Sequence, residues 1–349
     1  MLRYLVQRLF VMIPTLLVIS FLVFAIIQAP PGDFLESMIA EQQSRGENVN
    51  QDKIEFLRHT YGLDQPFYLQ YLHWMFGNWD VKPNMEGITY QGGGLIFGDM
   101  GYSFEHNMPV TEVIGDALSL TVLISLASVL FVWILSFPIA VYSATHQYGF
   151  FDYVFTFFGY IGLATPSFLI ALILLYFANI WFGTSIGGLL DPQYIDQPWS
   201  WGKLGSLLAH MWIPVLVIGL PGTAGMIRRL RANLLDELNK QYVVTGRAKG
   251  LPPFRLLVKY PLRISLNPFI ADIGSLLPEL ISGSVVVSVV MSLPITGPIL
   301  LEALRSQDMY LAGSFLMFMS LLTVIGIFVS DVALALLDPR IRFGAGSGK

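Results

Sequence analysis

The chain has 349 residues, of which 54% are hydrophobic and 13% are charged, about half the charged share of an average soluble domain. Its mean hydropathy of +0.61 and net charge of -4 indicate a membrane protein without the basic surface that nucleic-acid binding requires. The absence of cysteine excludes disulfide bonds, thiolate catalysis and cysteine-based metal sites, and the five histidines lack the spacing of metal ligands.

The apolar segments, taken in chain order, predict six membrane-spanning helices, because a bilayer core needs about 20 apolar residues for each span. The first, at residues 9–28, has a signal peptide as its alternative. Its apolar run is longer than that of a signal peptide, and Pro30 and Pro31 follow it in place of a cleavage site, so a retained span is favoured. The other five are expected at residues 118–143, 153–182, 207–226, 268–293 and 311–337.

The distribution of basic residues predicts the orientation of these spans. With the N-terminus in the cytoplasm, 14 of the 20 Lys and Arg residues lie on the cytoplasmic side, and the opposite orientation would reverse that excess. Both termini are therefore expected in the cytoplasm. The segment at residues 30–116, in which Asp and Glu outnumber Lys and Arg, is expected outside.

An aromatic stretch lies within this external segment, at residues 66–79. Phe67, Tyr71, Trp74 and Met75 recur there at helical spacing. Such a helix lies either at the lipid headgroups or against an external partner, and the two interpretations are compatible.

No source of energy for transport is evident within the chain itself. The only stretch that looks like a P-loop is the tail at residues 343–349, which lacks the first Gly and the final Ser or Thr of that motif. Among the charged residues of the predicted spans, Glu279 is the deepest, and its span carries no basic residue to pair with it. A proton relay at Glu279 is one hypothesis; a carboxylate facing a water-filled pathway or a partner subunit is the other.

The segment at residues 227–267, between the predicted fourth and fifth spans, is basic and broken by Gly and Pro. It holds nine Lys and Arg residues against Asp236 and Glu237. Residues 228–250 predict a helix that ends at Gly250, which tolerates positive φ, and Pro252 and Pro253 prevent its continuation. Membrane orientation accounts for the charges alone, whereas the Gly and Pro residues favour a docking element for another protein.

Residues 245–251, TGRAKGL, resemble the "EAA" loop of ABC importer permeases, in the TARAKGL form typical of the dipeptide, oligopeptide and nickel branch. The similarity covers nearly the whole chain and includes PGD at residues 31–33, TPSF at 165–168 and the segments 61–74, 97–104 and 108–114. Three positions depart from the family pattern. Gly246 replaces the usual Ala, Pro252 and Pro253 replace a polar pair, and Ser288 stands where the family often has Glu.

The resemblance implies an all-α polytopic membrane protein with the six-helix, type I fold of ABC importer permeases. It divides the chain into an N-terminal transmembrane helix (residues 1–29), an extracytoplasmic segment (30–116) and a five-helix permease core (117–349). The core contains a cytoplasmic coupling loop at residues 227–267. The protein is then a non-catalytic, multi-pass subunit in a bacterial inner membrane.

The resemblance also implies the partners of this chain. A second, related permease would complete the pathway, two cytoplasmic ATPase subunits would bind ATP and Mg²⁺, and an external binding protein would deliver the substrate. Apart from membrane lipid, no cofactor, metal or nucleic acid is expected on this chain.

Two sets of residues follow from these expectations. Those expected to couple to the ATPase are Tyr242, Val243, Thr245, Gly246, Arg247, Ala248, Lys249 and Gly250. Those expected along the translocation pathway are Glu279, Ser282, Ser284, Ser288 and Pro166. Helix packing is the alternative role for the serines, and Pro166 is open to interpretation as an ordinary transmembrane proline.

The substrate stays open at this point. A short peptide is the first expectation, with oligosaccharides and opines as alternatives within the family. A different class, an ion-gradient-driven secondary carrier, would need inverted repeats or paired intramembrane charges, and the sequence has neither. A membrane anchor without transport activity would need neither the deep Glu279 nor spans broken by Pro.

Overall fold

The computed structural model describes residues 2–30, 32, 34–44, 58, 62–77, 93–183, 187–195 and 197–337. Three sequence predictions lie wholly or partly outside these residues: the PGD turn, the full extent of the external segment, and the tail at 343–349. Most of the described residues are helical, and two short strands among them, β1 (Tyr102–Ser103) and β2 (Met108–Pro109), form an antiparallel hairpin.

The α-helices are numbered in chain order. Before the hairpin lie α1 (Leu2–Ile27), α2 (Phe34–Ser44) and α3 (Phe67–Phe76). After it follow α4 (Val110–Thr145), α5 (Phe150–Ala164), α6 (Ser167–Phe182), α7 (Trp201–Leu238), α8 (Gln241–Ala248), α9 (Pro253–Lys259), α10 (Pro261–Ser265), α11 (Asn267–Val290), α12 (Thr296–Arg305) and α13 (Met309–Leu337). Two 3₁₀ turns occur at Leu95–Phe97 and Pro192–Tyr194.

Four helices are long and apolar enough to cross a membrane, namely α1, α4, α7 and α13. They coincide with four of the predicted spans. The predicted fifth span coincides with α11, of which Pro278–Val290 is a shorter apolar helix. The described residues thus hold four candidate spans, or five if the bent pair α5–α6 counts as one, and the number six stays a prediction.

The predicted third span, at residues 153–182, is broken near its middle instead of forming one straight helix. The chain there forms α5 and α6, which are bent by 104° relative to each other. Thr165, with φ −87° and ψ 125°, is extended because the ring of Pro166 disfavours helical geometry in the preceding residue. Pro166 also has no N–H to continue the helical hydrogen bonds, so α6 begins anew at Ser167.

The chain divides into two compact units. The larger unit comprises Met1–Phe10, Leu120–Gly297 and Leu322–Lys349, and the smaller unit comprises Val11–Ser119 and Pro298–Leu321. In the larger unit, α4, α6, α7 and α11 enclose a core that includes Ile124, Ala171, Val217 and Val287, each at most 1% exposed. This core includes α7 and α11, the long helices that precede and follow the basic segment at residues 239–266.

In the smaller unit, α3 packs against α1. Trp74 and Phe24 are 2% and 1% exposed, with ring centroids 5.5 Å apart, and the Tyr71 hydroxyl lies 2.8 Å from Ser20 Oγ. The predicted aromatic helix is therefore confirmed. Trp74 and Tyr71, however, contact α1 instead of forming an outward face, and Tyr68 on the opposite side is 62% exposed.

Asp308 fixes the hairpin within the smaller unit. This fully buried carboxylate accepts hydrogen bonds from Ser103 Oγ at 2.6 Å, from the N–H of Glu105 at 3.2 Å and from the N–H of Leu311 at 3.1 Å. The last of these satisfies a free donor in the first turn of α13. One carboxylate thus positions both the hairpin and the start of a helix.

Candidate functional site: the α8–α10 segment

The basic region predicted to dock a partner forms three short helices, here called the α8–α10 segment (residues 239–266). The predicted single helix over 228–250 is wrong, because α7 ends at Leu238 and α8 begins at Gln241. Asn239 Nδ2 donates to the carbonyl oxygen of Leu235 at 3.0 Å, and Lys240 is extended at φ −72°, ψ 147°. Much of the predicted loop is therefore the end of a long helix.

The predicted end of α8 at Gly250 is confirmed. Gly250 has φ +77°, its N–H donates to Arg247 O at 3.0 Å, and the N–H of Leu251 donates to Gly246 O at 3.2 Å. These two bonds are those of a Schellman motif, which requires a left-handed residue after the helix. Pro252 and Pro253 then set the start of α9, with Pro253 in its first turn.

At Gly246, α9 approaches α8 closely. A Cβ atom on Gly246 would lie 2.5 Å from Leu256 Cδ1 and 3.5 Å from Leu251 Cδ1. Leu256 is only 4% exposed, so the space of the missing methyl group is filled by this leucine. The departure from the family's usual Ala thus has a structural counterpart in α9.

The eight predicted coupling residues divide by burial. Val243 and Gly246 face inward, and Val243 is 1% exposed. The outward group presents one aromatic ring, two basic side chains and small residues, and consists of Tyr242, Thr245, Arg247, Ala248, Lys249 and Gly250. Such a surface allows a close approach of another backbone and offers donors to acidic groups.

Tyr242 is held by the end of the preceding helix. Its hydroxyl donates to the carboxylate of Glu237. Partial burial, together with this hydrogen bond and the negative charge of Glu237, raises the pKa of Tyr242 above its ordinary value of 10.0. The contact links the first turn of α8 to the last turn of α7.

The α8–α10 segment is anchored at its far end as well. Arg263 on α10 donates from Nη2 to the carbonyl oxygen of Leu337 at 2.8 Å, at the C-terminal end of α13. A cation is favoured there because the last carbonyl groups of a helix carry partial negative charge. The segment is therefore tied to α7 and α13 and leads directly into α11.

The predicted pathway residues differ in how far they are buried within the chain. Glu279 and Ser282 are exposed on one face of α11, and Pro166 is exposed at the bend between α5 and α6. Ser284 and Ser288 are 4% and 0% exposed, and their hydroxyls donate within α11, to Ile281 O at 2.7 Å and Val285 O at 2.6 Å. A Cβ on Gly297 would lie 2.7 Å from Ser288 Oγ, so this serine sits in a tight contact.

Sequence reasoning missed an ion pair between Asp152 on α5 and Arg231 on α7. Arg231 Nε donates to Asp152 Oδ1 at 2.8 Å and Nη2 to Oδ2 at 2.7 Å. An acidic residue at the start of an apolar helix is the signal that could have pointed to it, because such a carboxylate needs a partner.

Among the described residues, no group of three or more His, Asp or Glu lies together in a way that could hold a metal ion. The α8–α10 segment presents exposed basic and small residues on a short, firmly capped helix.

Known proteins resemble this chain along its length. Residues 1–127 match the family "Binding-prot-dependent transport system membrane comp, N-term", and residues 136–343 match "Binding-protein-dependent transport system inner membrane component". The oligopeptide transport system permease protein AppB of Bacillus subtilis is 32% identical over 347 residues, which cover 98% of this chain and 100% of AppB. The dipeptide transport system permease protein DppB of Escherichia coli K12 is 26% identical over 359 residues, covering 98% and 99%.

One solved structure has a similar fold. A chain of the inward-facing MetNI methionine ABC transporter aligns with a TM-score of 0.50 at 14% identity, over 65% of this chain and 97% of that one. With two family matches that together span most of the sequence, this chain belongs to the family of inner membrane components of binding-protein-dependent transport systems.

Proposed function

We propose that this chain is the membrane permease subunit of an ATP-driven importer of dipeptides and oligopeptides, in which it forms half of the translocation pathway. The peptide specificity is supported by relatives of full length that are named for oligopeptide and dipeptide transport. The observation that carries the coupling part of the proposal is the α8–α10 segment, whose exposed face is suited to a second protein.

The proposed coupling is mechanical. Partner ATPase subunits bind ATP and Mg²⁺, and their closure moves α8. This movement reaches α9 through the contact of Gly246 with Leu256, and α10 then carries it to α7 and α11. This chain performs no catalysis in the scheme; it converts the movement of its partners into a change of its own helices.

The proposed topology has six spans in a type I permease fold, with both termini in the cytoplasm. Residues 1–29 form the first span, 30–116 form a segment that meets the external binding protein, and 117–349 form the permease core. The coupling region at 227–267 then lies on the same side as the ATPases. The excess of basic residues on that side supports this arrangement.

The proposed pathway follows the exposed face of α11. Glu279 and Ser282 lie on this face, and a carboxylate exposed to lipid hydrocarbon costs several kcal/mol. A water-filled pathway completed by the second permease removes that cost. Ser284 and Ser288 act in this proposal by letting neighbouring backbone pack closely, and Pro166 marks the bend at which α5 and α6 change angle.

Affinity purification of the chain from gently solubilised native membranes tests the proposal. We expect a second, related permease, P-loop ATPases and a binding protein, identified by mass spectrometry. Vesicles reconstituted with this complex should take up the ligand released from the binding protein only when ATP is inside the compartment that corresponds to the cytoplasm. Recovery of the chain alone, or uptake driven by an ion gradient without ATP, would contradict the proposal. An oligosaccharide or opine as the released ligand would contradict only the substrate class.

A further inference from the structure

The ion pair of Asp152 and Arg231 has features that membrane orientation and helix packing do not require. Both oxygens of Asp152 are engaged by Arg231, and Oδ2 also accepts the N–H of Tyr148 at 3.0 Å. Asp152 is 3% exposed. A paired planar contact of this kind fixes the position and the angle of both side chains, because two parallel hydrogen bonds must be satisfied together.

The pair lies at one end of a long contact between α5 and α7. Further along this contact, a Cβ on Gly159 would lie 3.8 Å from Ala224 Cβ, and a Cβ on Gly162 would lie 3.2 Å from Leu220 Cδ2. As residue numbers rise along α5 they fall along α7, so the two helices are antiparallel. The glycines let the backbones approach closely, while the ion pair fixes the axial position of one helix relative to the other.

The same end of α7 is packed on the α8–α10 segment. Leu234, one turn after Arg231, is fully buried in a cluster with Ala144, and Leu262 of α10 is 7% exposed in that cluster. Leu257 of α9 packs against the same cluster. A displacement of the α8–α10 segment therefore reaches α7 close to the residue that holds Asp152.

Stability alone is a weak explanation for such a pair. Replacing a buried ion pair by apolar residues is often neutral or stabilising, because buried charges lose their hydration. That loss applies here chiefly to Asp152, since the Arg231 side chain is 25% exposed. What a paired contact provides in addition is a defined geometry. Here that geometry joins the helix that receives movement, α7, to the shorter helix that ends at the 104° bend.

We propose that the Asp152–Arg231 ion pair is a positioning contact that makes α5 follow α7 when the α8–α10 segment moves, so that the movement reaches the Thr165–Pro166 bend. The inference rests on the proposed function, since it assumes an ATPase that moves α8. Asp152 and Arg231 contact neither ATP nor substrate; they act through the helices that they connect.

The assembled importer in lipid nanodiscs provides the test. The chain has no cysteine, so spin labels can be attached after the substitutions Phe157→Cys on α5 and Val258→Cys on α9, at residues that are 62% and 44% exposed. Distances between the labels are measured without nucleotide and after trapping with MgATP and vanadate. The rate of ATP hydrolysis is measured with and without the binding protein, which is used with the ligand that co-purifies with it.

When Asp152 and Arg231 are unchanged, we expect one narrow distribution of distances between the labels. It should be the same without nucleotide and in the vanadate-trapped state, because α5 and α9 move together. Asp152→Asn should broaden it, and should lower the stimulation of ATP hydrolysis by the binding protein at least about fivefold, the lower end of ordinary coupling energies. Basal hydrolysis should persist. Asp331→Asn is the control, since Asp331 forms another ion pair, with Arg8 at 3.1 Å.

A purely structural role would lower the amount of assembled complex and leave the stimulation of what assembles unchanged, which would overturn the inference. If the Asp152→Asn protein does not accumulate, Arg231→Lys replaces it in the test, because this substitution keeps the positive charge and loses the paired contact. A narrow distance distribution and full stimulation of ATP hydrolysis in the Arg231→Lys protein would also overturn the inference. Failure of the proposed function is distinguishable, because the unaltered complex would then hydrolyse no ATP.

Discussion

Gly246 and Leu256 fit each other across two consecutive helices. The Leu256 side chain occupies the space that a Cβ on Gly246 would need, with 2.5 Å between that Cβ and Leu256 Cδ1. The replacement of the family's usual Ala by Gly is therefore matched by a leucine in α9. Gly246 and Leu256 thus form one contact that joins α8 to α9 within the α8–α10 segment.

Gly246→Ala should destabilise the segment, because the new methyl group overlaps Leu256. Overpacking of this kind costs about 1–3 kcal/mol. We expect a lower midpoint of thermal unfolding and less co-purified ATPase, both partly restored in the double variant Gly246→Ala, Leu256→Val. Gly225→Ala on α7 is the control, since nothing lies within 4 Å of a Cβ at that position. Equal behaviour of the two single variants would contradict the assigned contact.

Gly250 is required for its backbone conformation and not for space. No atom lies within 4 Å of a Cβ on Gly250, whereas its φ of +77° disfavours other residues by about 1–2 kcal/mol. Gly250→Asp and Gly250→Val should leave the protein in the membrane and reduce ATPase binding and ATP-driven uptake. Gly250→Asn should retain more of both than Gly250→Val, because Asn tolerates left-handed geometry. Normal ATP-driven uptake by the Gly250→Val protein would refute this explanation.

The Tyr242 hydroxyl gives the α8–α10 segment a sensitivity to alkaline pH. Because the pKa of Tyr242 is raised in the folded protein, its contribution to stability is complete below the ordinary pKa of 10.0 and is lost as pH rises through the folded value. The thermal midpoint should therefore not change with the ionisation of Tyr242 near neutral pH, where its contribution is complete, and should fall at strongly alkaline pH. Tyr242→Phe should lessen that alkaline fall; identical pH profiles for the two proteins would exclude the assigned role.

The start and end signals of the α8–α10 segment could be predicted from the sequence, because Gly250, Pro252 and Pro253 act on the backbone locally. The break at Asn239 and Lys240 could not, since neither residue has the rigid backbone preference of Gly or Pro. The span at 153–182 illustrates a related limit. Its length and hydropathy suit one helix, and only the three-dimensional structure gives the size of the bend at Pro166.

Contacts between distant parts of the chain were the least predictable. Asp152 on α5 and Arg231 on α7 are separated in sequence by the whole of α6, and nothing local to either residue identifies its partner. The aromatic residues of α3 were correctly predicted to form a helix, but spacing alone does not tell whether Trp74 faces lipid, a partner or another helix of the same chain. Similarly, Ser288 and Ser282 are indistinguishable by residue type, although the first is buried and the second exposed.

Glu279 is the residue by which the proposed pathway can be tested most directly. It is exposed on the same face of α11 as Ser282, and its negative charge would be available to a substrate that passes along this face. Glu279→Gln removes the charge with little change of shape, so assembly and basal ATP hydrolysis should be unchanged while uptake of the ligand carried by the binding protein falls. Glu302→Gln on the exposed face of α12 is the matched control and should transport normally. If the Glu279→Gln protein instead no longer co-purified with the second permease, the exposed face of α11 would be a subunit interface. The pathway would then have to follow another surface.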